Sequence, residues 1–183
     1  LVFTVSGATR EEVEGLTQIT VSNVAGLTQT QIDASLQAGM NISVYDISEN
    51  RVSYVWSKDS EGEVSFTGYN YDELGKLVYT VTASTRSLAE NLNGVTADNA
   101  ATLTESDIDS LLASGMSIAV YDTVNSRVDH VWSRDQNGAA SFTKYFYNTN
   151  GTLVYTVNAA NRTEVENLTG ISADNVAGLT AAQ

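Results

Sequence analysis

Aromatic side chains that recur at matching positions in two halves of the chain are the residues best suited to hold a ligand. Large rings offer flat apolar surfaces, so rings on an uncovered sheet face would form a site for stacking on sugars. The candidates are Trp56, Tyr69, Tyr71, Trp132, Tyr145 and Tyr147. The alternative, which we favour, is that the same rings pack across neighbouring strands and stabilise the sheet.

Carboxylates in one turn suggest calcium binding as a second chemistry. The segment Asp59–Glu63 places oxygen ligands at alternate positions, as a calcium-binding loop does. Its counterpart Asp135–Ala139 lacks both of the additional acids, and neither segment has the length and closing Glu of such a loop. Turn formation accounts for both segments, so we predict no metal site and no cofactor. A calcium-stabilised repeat is kept as an alternative.

Catalytic chemistry has little support in the residue types. The chain has no Cys and a single His, His130, which excludes thiolate catalysis and leaves one imidazole. His130 aligns with Tyr54 in the other half of the chain, so an imidazole function cannot be common to both halves. Phosphate-loop, dinucleotide-binding and zinc-protease motifs are absent from the sequence. We therefore predict a protein that is not an enzyme.

The charge balance excludes two classes of partner. The chain carries 22 acidic against 9 basic residues, a net charge of −13. It therefore has neither the basic surface that nucleic acid requires nor a polybasic patch for anionic lipid. No apolar run is long enough to span a bilayer. We predict no nucleic-acid partner and no membrane insertion, with the acidity serving solubility.

A duplicated unit organises the whole chain. The segment LVYTV stands at 77–81 and 153–157, and LVFTV stands at 1–5, so the repeat length is 76 residues (77 − 1 and 153 − 77). Residues 32–107 align without gaps on 108–183 with about half of the positions identical, far above chance for a chain compared with itself. No Pro and no Gly/Ser tract marks a linker, which favours a continuous array over separate domains.

Each unit predicts four strands followed by short helices. Apolar residues alternate over 40–46, 51–57, 63–71 and 77–81 and again one period later, as in half-buried strands. Turns that begin with Asp or Asn and end with Gly, such as Asp59–Gly62 and Asp72–Gly75, predict hairpins with a glycine at positive φ. Four strands joined in this way form an antiparallel meander.

The helical segments carry their own signals. Thr9, Thr85 and Asn161 are predicted N-caps, and an Arg–Glu pair at i,i+4 follows each of them. We interpret the recurring Arg as a helix-surface pair rather than a ligand clamp. A later helix is predicted to end with Gly39, or Gly115 one period on, as its C′ residue.

These elements predict an α+β fold. It consists of two tandem repeats, each a four-stranded antiparallel meander followed by short helices, stacked in line. The predicted boundaries are a partial repeat at 1–39, a first unit at 40–115 (sheet 40–83, helices 85–115) and a second unit at 116–183 (sheet 116–159, helices 161–183).

Two segments resemble known repetitive proteins. The hairpin Gly68–Ala83 resembles the YD-type hairpin repeats of bacterial Rhs-like secreted proteins. The matching residues are Tyr71, Asp72, Gly75 and Leu77, and in the second copy Tyr147, Asn148, Gly151 and Leu153, where Asn replaces the Asp. The run Ser172–Gln183 is similar to phrases in large repetitive bacterial surface proteins. The resemblance implies a tandem-repeat segment of a secreted or surface-displayed bacterial protein, adhesin-like or filament-forming.

Function is therefore expected to be structural. The module would act as a filament subunit, a spacer or an adhesive segment, with neighbouring repeats or further copies as partners, and glycan binding is the alternative. The chain opens inside a repeat, which predicts a fragment or a processed piece of a longer protein. The opening strand, an assembly strand formed by Leu1, Val2, Phe3, Thr4 and Val5, is expected to add to an open sheet edge of the following module or of a neighbouring chain. Its deletion would then abolish assembly.

Overall fold

A single antiparallel sheet of nine strands runs through the part of the chain that the computed structural model describes, which is residues 2–7, 9–168, 171, 172 and 176. The order of the strands in the sheet follows the sequence. The strands are β1 (Phe3–Ser6), β2 (Asn41–Asp46), β3 (Arg51–Lys58), β4 (Val64–Tyr71), β5 (Leu77–Ala83), β6 (Ser117–Asp122), β7 (Arg127–Arg134), β8 (Ala140–Tyr147) and β9 (Leu153–Ala159).

The helices between the strands are short. They are α1 (Arg10–Glu14), α2 (Gln29–Ser35), α3 (Arg86–Glu90), α4 (Glu105–Leu111) and α5 (Arg162–Glu166), with 3₁₀ turns at Val24–Gly26 and Ala100–Thr102. The predicted helical segment 161–183 is described only for α5 and a few later residues, and its remainder lies outside the described residues. Thr9, Thr85 and Asn161 are confirmed as N-caps, each accepting a backbone N–H three residues on.

The continuous sheet shows that the predicted α+β fold of two separate four-stranded meanders is wrong. The fold is mostly β, because the last strand of one unit pairs directly with the first strand of the next and leaves no boundary between sheets. Helices of five or seven residues are too short to form a helical layer comparable in size with the nine-stranded sheet. The predicted C′ role of Gly39 is also wrong: α2 ends at Ser35, and the Gly39 N–H donates instead to the Lys58 carbonyl.

The hairpin turns follow the predicted chemistry. In the turn after β3, the Asp59 carboxylate accepts the backbone N–H groups of Glu61 and Glu63 at 2.9 Å each. Gly62 then takes a φ of +92°, which a side chain would strain. Asp72 and Gly75 repeat this arrangement in the turn after β4. Each acidic side chain therefore fixes a strand register by holding its own turn.

The core lies between the sheet and the helical segments. Trp56 on β3 and Phe66 on β4 sit directly opposite each other, with ring centroids 4.9 Å apart in an edge-to-face arrangement. Trp132 and Phe142 form the same pair one period later. The buried apolar residues of the helical segments pack on this face of the sheet, and they include Val24, Leu27, Ile32, Leu36, Ala100, Leu103, Ile108 and Leu112.

The recurring Arg does more than pair with the Glu one turn later. Arg86 lies 2.6 Å from Glu90, and it also donates to the Ala25 carbonyl at 2.9 Å across 61 residues of chain. Its guanidinium lies over the Tyr54 ring, 4.8 Å from the centroid. Arg162 repeats the contact by donating to the Ala101 carbonyl. In each unit, this Arg side chain therefore joins the helix that follows the four strands to the 3₁₀ turn that precedes those strands.

Replacement of Arg86 by Ala is expected to destabilise the protein by about 1–2 kcal/mol, because a hydrogen bond, a cation–π contact and stem packing are lost together. Arg10→Ala is the matched control, since among the described residues the Arg10 side chain pairs with Glu14 alone and is 88% exposed. Urea unfolding followed by tryptophan fluorescence measures both variants. Equal losses in the two variants would contradict the fastening role of Arg86.

Candidate functional site

The junction between units is the site whose geometry the chain repeats. β1 pairs with β2 so that Phe3 faces Val44 and Val5 faces Ile42. One period later β5 pairs with β6 in the same register, as the list Tyr79↔Val120, Thr80↔Ala119, Val81↔Ile118 and Thr82↔Ser117 shows. The two junctions therefore have the same register.

Both faces of β5 are buried at this junction. Tyr79 and Val81 lie beneath the helical segments, and the Tyr79 hydroxyl donates to the Val95 carbonyl at 3.1 Å. On the opposite face, Val78 and Thr80 are only 7% and 6% exposed. A strand covered on both faces and paired at both edges is among the most strongly fixed elements a sheet can have.

Tyr69 lies on the face of the junction opposite the helical segments. It stands on β4 opposite Thr80 of β5, and Thr80 pairs in turn with Ala119 of β6. Burial raises the pKa of Tyr69, and the charge of Tyr121 on β6 has a smaller effect in the same direction. The electrostatic environment of Tyr69 therefore includes a residue of the next unit.

The predicted assembly strand lies on its own chain. Phe3, Thr4 and Val5 belong to β1 and pair with β2, while the Val2 carbonyl accepts the Tyr45 N–H at 2.9 Å. Leu1 lies outside the described residues. Deleting this strand would therefore uncover the edge of β2 rather than remove a free strand.

Neither tryptophan can serve as a sugar-stacking platform. Trp56 and Trp132 are both 0% exposed, each packed against a Phe of the next strand. Both indoles therefore lie in the core, in the cross-strand packing favoured over ligand binding. Each indole lies on the helix-covered face of its strand, where burial of a large apolar ring contributes most to stability.

The candidate tyrosines are held in structural contacts as well. Tyr71 donates its hydroxyl proton to the Val52 carbonyl at 2.8 Å, and the Arg51 guanidinium lies 4.4 Å above its ring. Tyr147 repeats both contacts, with Val128 and Arg127. Tyr69 and Tyr145 are half-buried on their strands. The six aromatic candidates therefore do not form one exposed surface.

The acidic turns offer no preformed metal site. Asp59 and Asp135 each use one carboxylate oxygen to accept two backbone N–H groups of their own turns. No group of three or more His, Cys, Asp or Glu residues within the described ranges is arranged to hold a metal ion.

A charged cluster occurs in the second unit, on β7 and β8; its imidazole is buried, whereas the Asp129 and Lys144 side chains are partly exposed. His130 is 1% exposed, and its Nδ1 lies 2.7 Å from Asp129 Oδ2. Lys144 donates to both oxygens of the Asp129 carboxylate at 2.7 Å. The hydrogen bond from His130, together with the Lys144 ammonium, lowers the pKa of Asp129 to about 2 although burial opposes this shift. Buried in this way, the imidazole has no access for a substrate.

The equivalent place in the first unit is a cavity. Gly68 occupies the position of Lys144, Ser53 that of Asp129 and Tyr54 that of His130. The cavity has a volume of about 330 Å³, and its lining includes Gly68, Asn70 and Arg86. In the second unit the Lys144 side chain is one of the groups lining a smaller space of about 180 Å³.

The Asp129–Lys144 pair was not singled out from the sequence, although the repeat alignment contains a signal for it. A neutral Ser–Gly combination in one unit becomes an oppositely charged Asp–Lys combination in the other. Two paired changes of this kind between copies indicate side chains that meet across neighbouring strands. Sequence reasoning compared the units one position at a time and so missed the pair.

Comparison with known proteins yields no relative for this chain. No protein-family model matches it, and no curated protein or solved structure does so either. None of the helices among the described residues combines the length and the apolar character that crossing a membrane requires. The interpretation of function therefore depends on the geometry of the molecule itself.

The Asp129→Asn variant is expected to be less stable than the parent chain, by an amount that depends on pH. Because the folded-state pKa of Asp129 is about 2 and that of an unfolded Asp is about 4, the carboxylate contributes stability above pH 4 and loses it as pH falls toward 2. The difference in free energy of unfolding should be largest near pH 6 and should be mostly lost by pH 2.

Urea titrations at several pH values measure this difference. Asp98→Asn is the control, since Asp98 is exposed and makes no side-chain hydrogen bond among the described residues. A loss of stability in Asp129→Asn that stays constant from pH 6 to pH 2 would show that the charge of Asp129 has no part in it.

Proposed function

We propose that this chain is a structural repeat module whose units extend one continuous antiparallel sheet, as a spacer or filament segment of a secreted or surface-displayed bacterial protein. The observation that carries the proposal is the junction. β1–β2 and β5–β6 repeat the same pairs in the same register, so one unit supplies the docking edge for the next.

The form of the junction supports the role of a rigid spacer. Two units that share backbone hydrogen bonds and a buried core cannot rotate freely about a linker, unlike domains joined by a flexible segment. Val78 and Thr80 are buried on one face of β5, and the helical segments cover the other face. Stability in such an array is the sum of the units and of the interfaces between neighbours, so it grows with the number of units.

The charge of the chain fits the same role. A net charge of −13 keeps long arrays apart in solution and discourages side-by-side aggregation of their sheets. The alternative of sugar binding by an aromatic surface loses its main residues, because Trp56 and Trp132 are buried. The remaining polar surface carries no observation that favours a specific ligand.

Insertion of a further copy of residues 32–107 after residue 107 tests the proposal. The added unit contributes four strands, which should lengthen the molecule by roughly 19–20 Å at about 4.7–4.9 Å per strand. Small-angle X-ray scattering measures the maximum dimension, and urea unfolding should show a higher midpoint than in the parent chain.

The same insertion with Tyr79→Asp and Val81→Asp in the inserted copy is the matched control. Charges at these buried junction positions should break the array without changing its length in residues. An unmodified insertion that leaves the maximum dimension unchanged, or that unfolds separately from the rest, would contradict the continuous-sheet proposal.

A further inference from the structure

The cavity between the sheet and α3 in the first unit is larger than its counterpart in the second because four of its lining residues are smaller. The smaller residues are Ser53, Gly68, Asn70 and Ala89, which stand where the second unit has Asp129, Lys144, Phe146 and Val165. The two spaces measure about 330 Å³ and about 180 Å³. Their difference, about 150 Å³ (330 − 180), is on the order of the space that accepts one benzene molecule.

A tyrosine ring lines this cavity at the place where the second unit stacks two rings. Phe146 lies face to face on Tyr155, with centroids 4.5 Å apart and planes inclined by 9°. In the first unit Asn70 stands opposite Tyr79, just as Phe146 stands opposite Tyr155. The Tyr79 ring is held in place because its hydroxyl donates to the Val95 carbonyl at 3.1 Å. An Asn side chain is too small to cover this ring, so Tyr79 offers a flat surface for stacking.

The Asn70 amide supplies a polar group beside that ring. It has both donor and acceptor capacity, and among the described residues it makes no hydrogen bond. The Ser53 and Glu90 side chains, which also line the cavity, are exposed, so the cavity opens to solvent. A ligand that enters can therefore place a ring on Tyr79 and a hydrogen-bonding group on Asn70.

The charges of the lining favour an uncharged ligand. Its two charged side chains, Arg86 and Glu90, lie 2.6 Å apart and balance each other. The second ion pair of the other unit, Asp129 with Lys144, is replaced here by two neutral residues. A charged ligand would lose hydration on entry without gaining an unpaired counter-ion.

The backbone of β4 leaves room for an occupant at Gly68. A methyl group at this position would lie 3.6 Å from the Phe66 ring, which is ordinary van der Waals contact. The space that the Lys144 stem takes in the second unit is thus available to a ligand in the first. The cavity volume also lies at the lower end of the range of about 300–1,000 Å³ that is typical of small-molecule sites.

We propose that the first-unit cavity binds a small uncharged aromatic molecule, a single ring that carries an amide or hydroxyl group. The ring stacks on Tyr79, and the polar substituent bonds to the Asn70 amide. In the second unit Phe146 takes the place of the ligand ring, so that unit has the closed form of the same site. The lining comes entirely from residues 53–92, so the site adds a binding activity to the structural module without depending on assembly of an array.

Titration of the whole ¹⁵N-labelled chain with benzamide, followed by NMR, tests the proposal. The backbone amides of Gly68 and Asn70 should shift and saturate with a Kd on the order of 1 mM, as expected for a ligand of about nine heavy atoms. The amides of Lys144 and Phe146 should stay in place and serve as an internal control. Equal shifts in both units, or no shift at about ten times that concentration, would overturn the proposal.

Two further probes separate ring stacking from other modes of binding. Cyclohexanecarboxamide has the same amide but no flat aromatic ring, so it should bind roughly two- to tenfold more weakly than benzamide. Methyl β-glucoside tests the cavity as a sugar site. Equal binding of the two amides, or shifts with the glucoside in the absence of shifts with benzamide, would overturn the aromatic assignment.

The N70F variant copies the stacked pair of the second unit and should abolish benzamide binding while raising the urea midpoint of unfolding. S65F is the matched control, because Ser65 precedes Phe66 on β4 and its side chain lies on the opposite face of the strand. It should bind benzamide as the parent chain does. Unchanged binding in N70F, or the same loss in both variants, contradicts a ligand ring on Tyr79.

The reverse exchange should create a second site. D129S/K144G/F146N gives the second unit three of the four smaller residues of the first. Benzamide should then also shift the amides at positions 144 and 146, and the stoichiometry should rise from one toward two. A variant that unfolds cooperatively in urea but shows shifts in the first unit alone would overturn the view that Phe146 and Lys144 occupy the place of a ligand.

Discussion

Pairing between the last strand of one unit and the first strand of the next is the interaction on which the rest of this structure depends. β5 exchanges its backbone hydrogen bonds with β4 on one side and β6 on the other, and its side chains are buried on both faces. Without that pairing, each unit would be a four-stranded meander with two open edges and a partly exposed core. With it, the sheet continues without a break from one unit into the next.

The helical segments follow from the same constraint. Between β5 and β6 the chain must leave the sheet at one end of β5 and return to begin an adjacent antiparallel strand, and it uses this connection to cover the core. The connection divides into an earlier part that packs on the preceding strands and a later part that packs on the following ones. Arg86 and Arg162 join the later part of one connection to the earlier part of the next. The helix layer thereby spans each set of four strands and resists shear between them.

Local structure was predictable from the sequence because its causes are local. Alternating apolar residues, turns with Asp before Gly, and Thr or Asn caps each act within a few residues, and the strands, turns and N-caps are found where these signals stand. Neighbouring strands across a junction are separated by more than thirty residues of helical connection, and alternation says nothing about which strand pairs with which. The separate sheets were predicted for that reason. The evidence against them was present in LVYTV itself, whose apolar residues occupy both faces of the strand.

The candidate ligand site could not be predicted for a related reason. Strand periodicity places Phe66 and Tyr69 on opposite faces of β4, but it does not say which face the helices cover. Burial of Trp56 beside Phe66 is a property of the packed layer and depends on residues such as Val24 and Ile32 far away in sequence. An aromatic residue on a strand is therefore weak evidence for a binding surface until the covered face is known.

Differences between the two units show which parts of the design are free to change. Beneath the helices, Gly68 and Ser53 give way to Lys144 and Asp129, and a cavity of about 330 Å³ becomes a smaller space of about 180 Å³ beside an ion pair, within the same sheet geometry. At the junction the register is the same in both copies, and the pairs on the helix-covered face stay apolar, as in Val5↔Ile42 and Val81↔Ile118. A cavity can gain or lose a charged pair without moving a strand, because the cost is confined to its lining. A junction residue changed in the same way would disturb two units at once, since each side chain there belongs to the core of both.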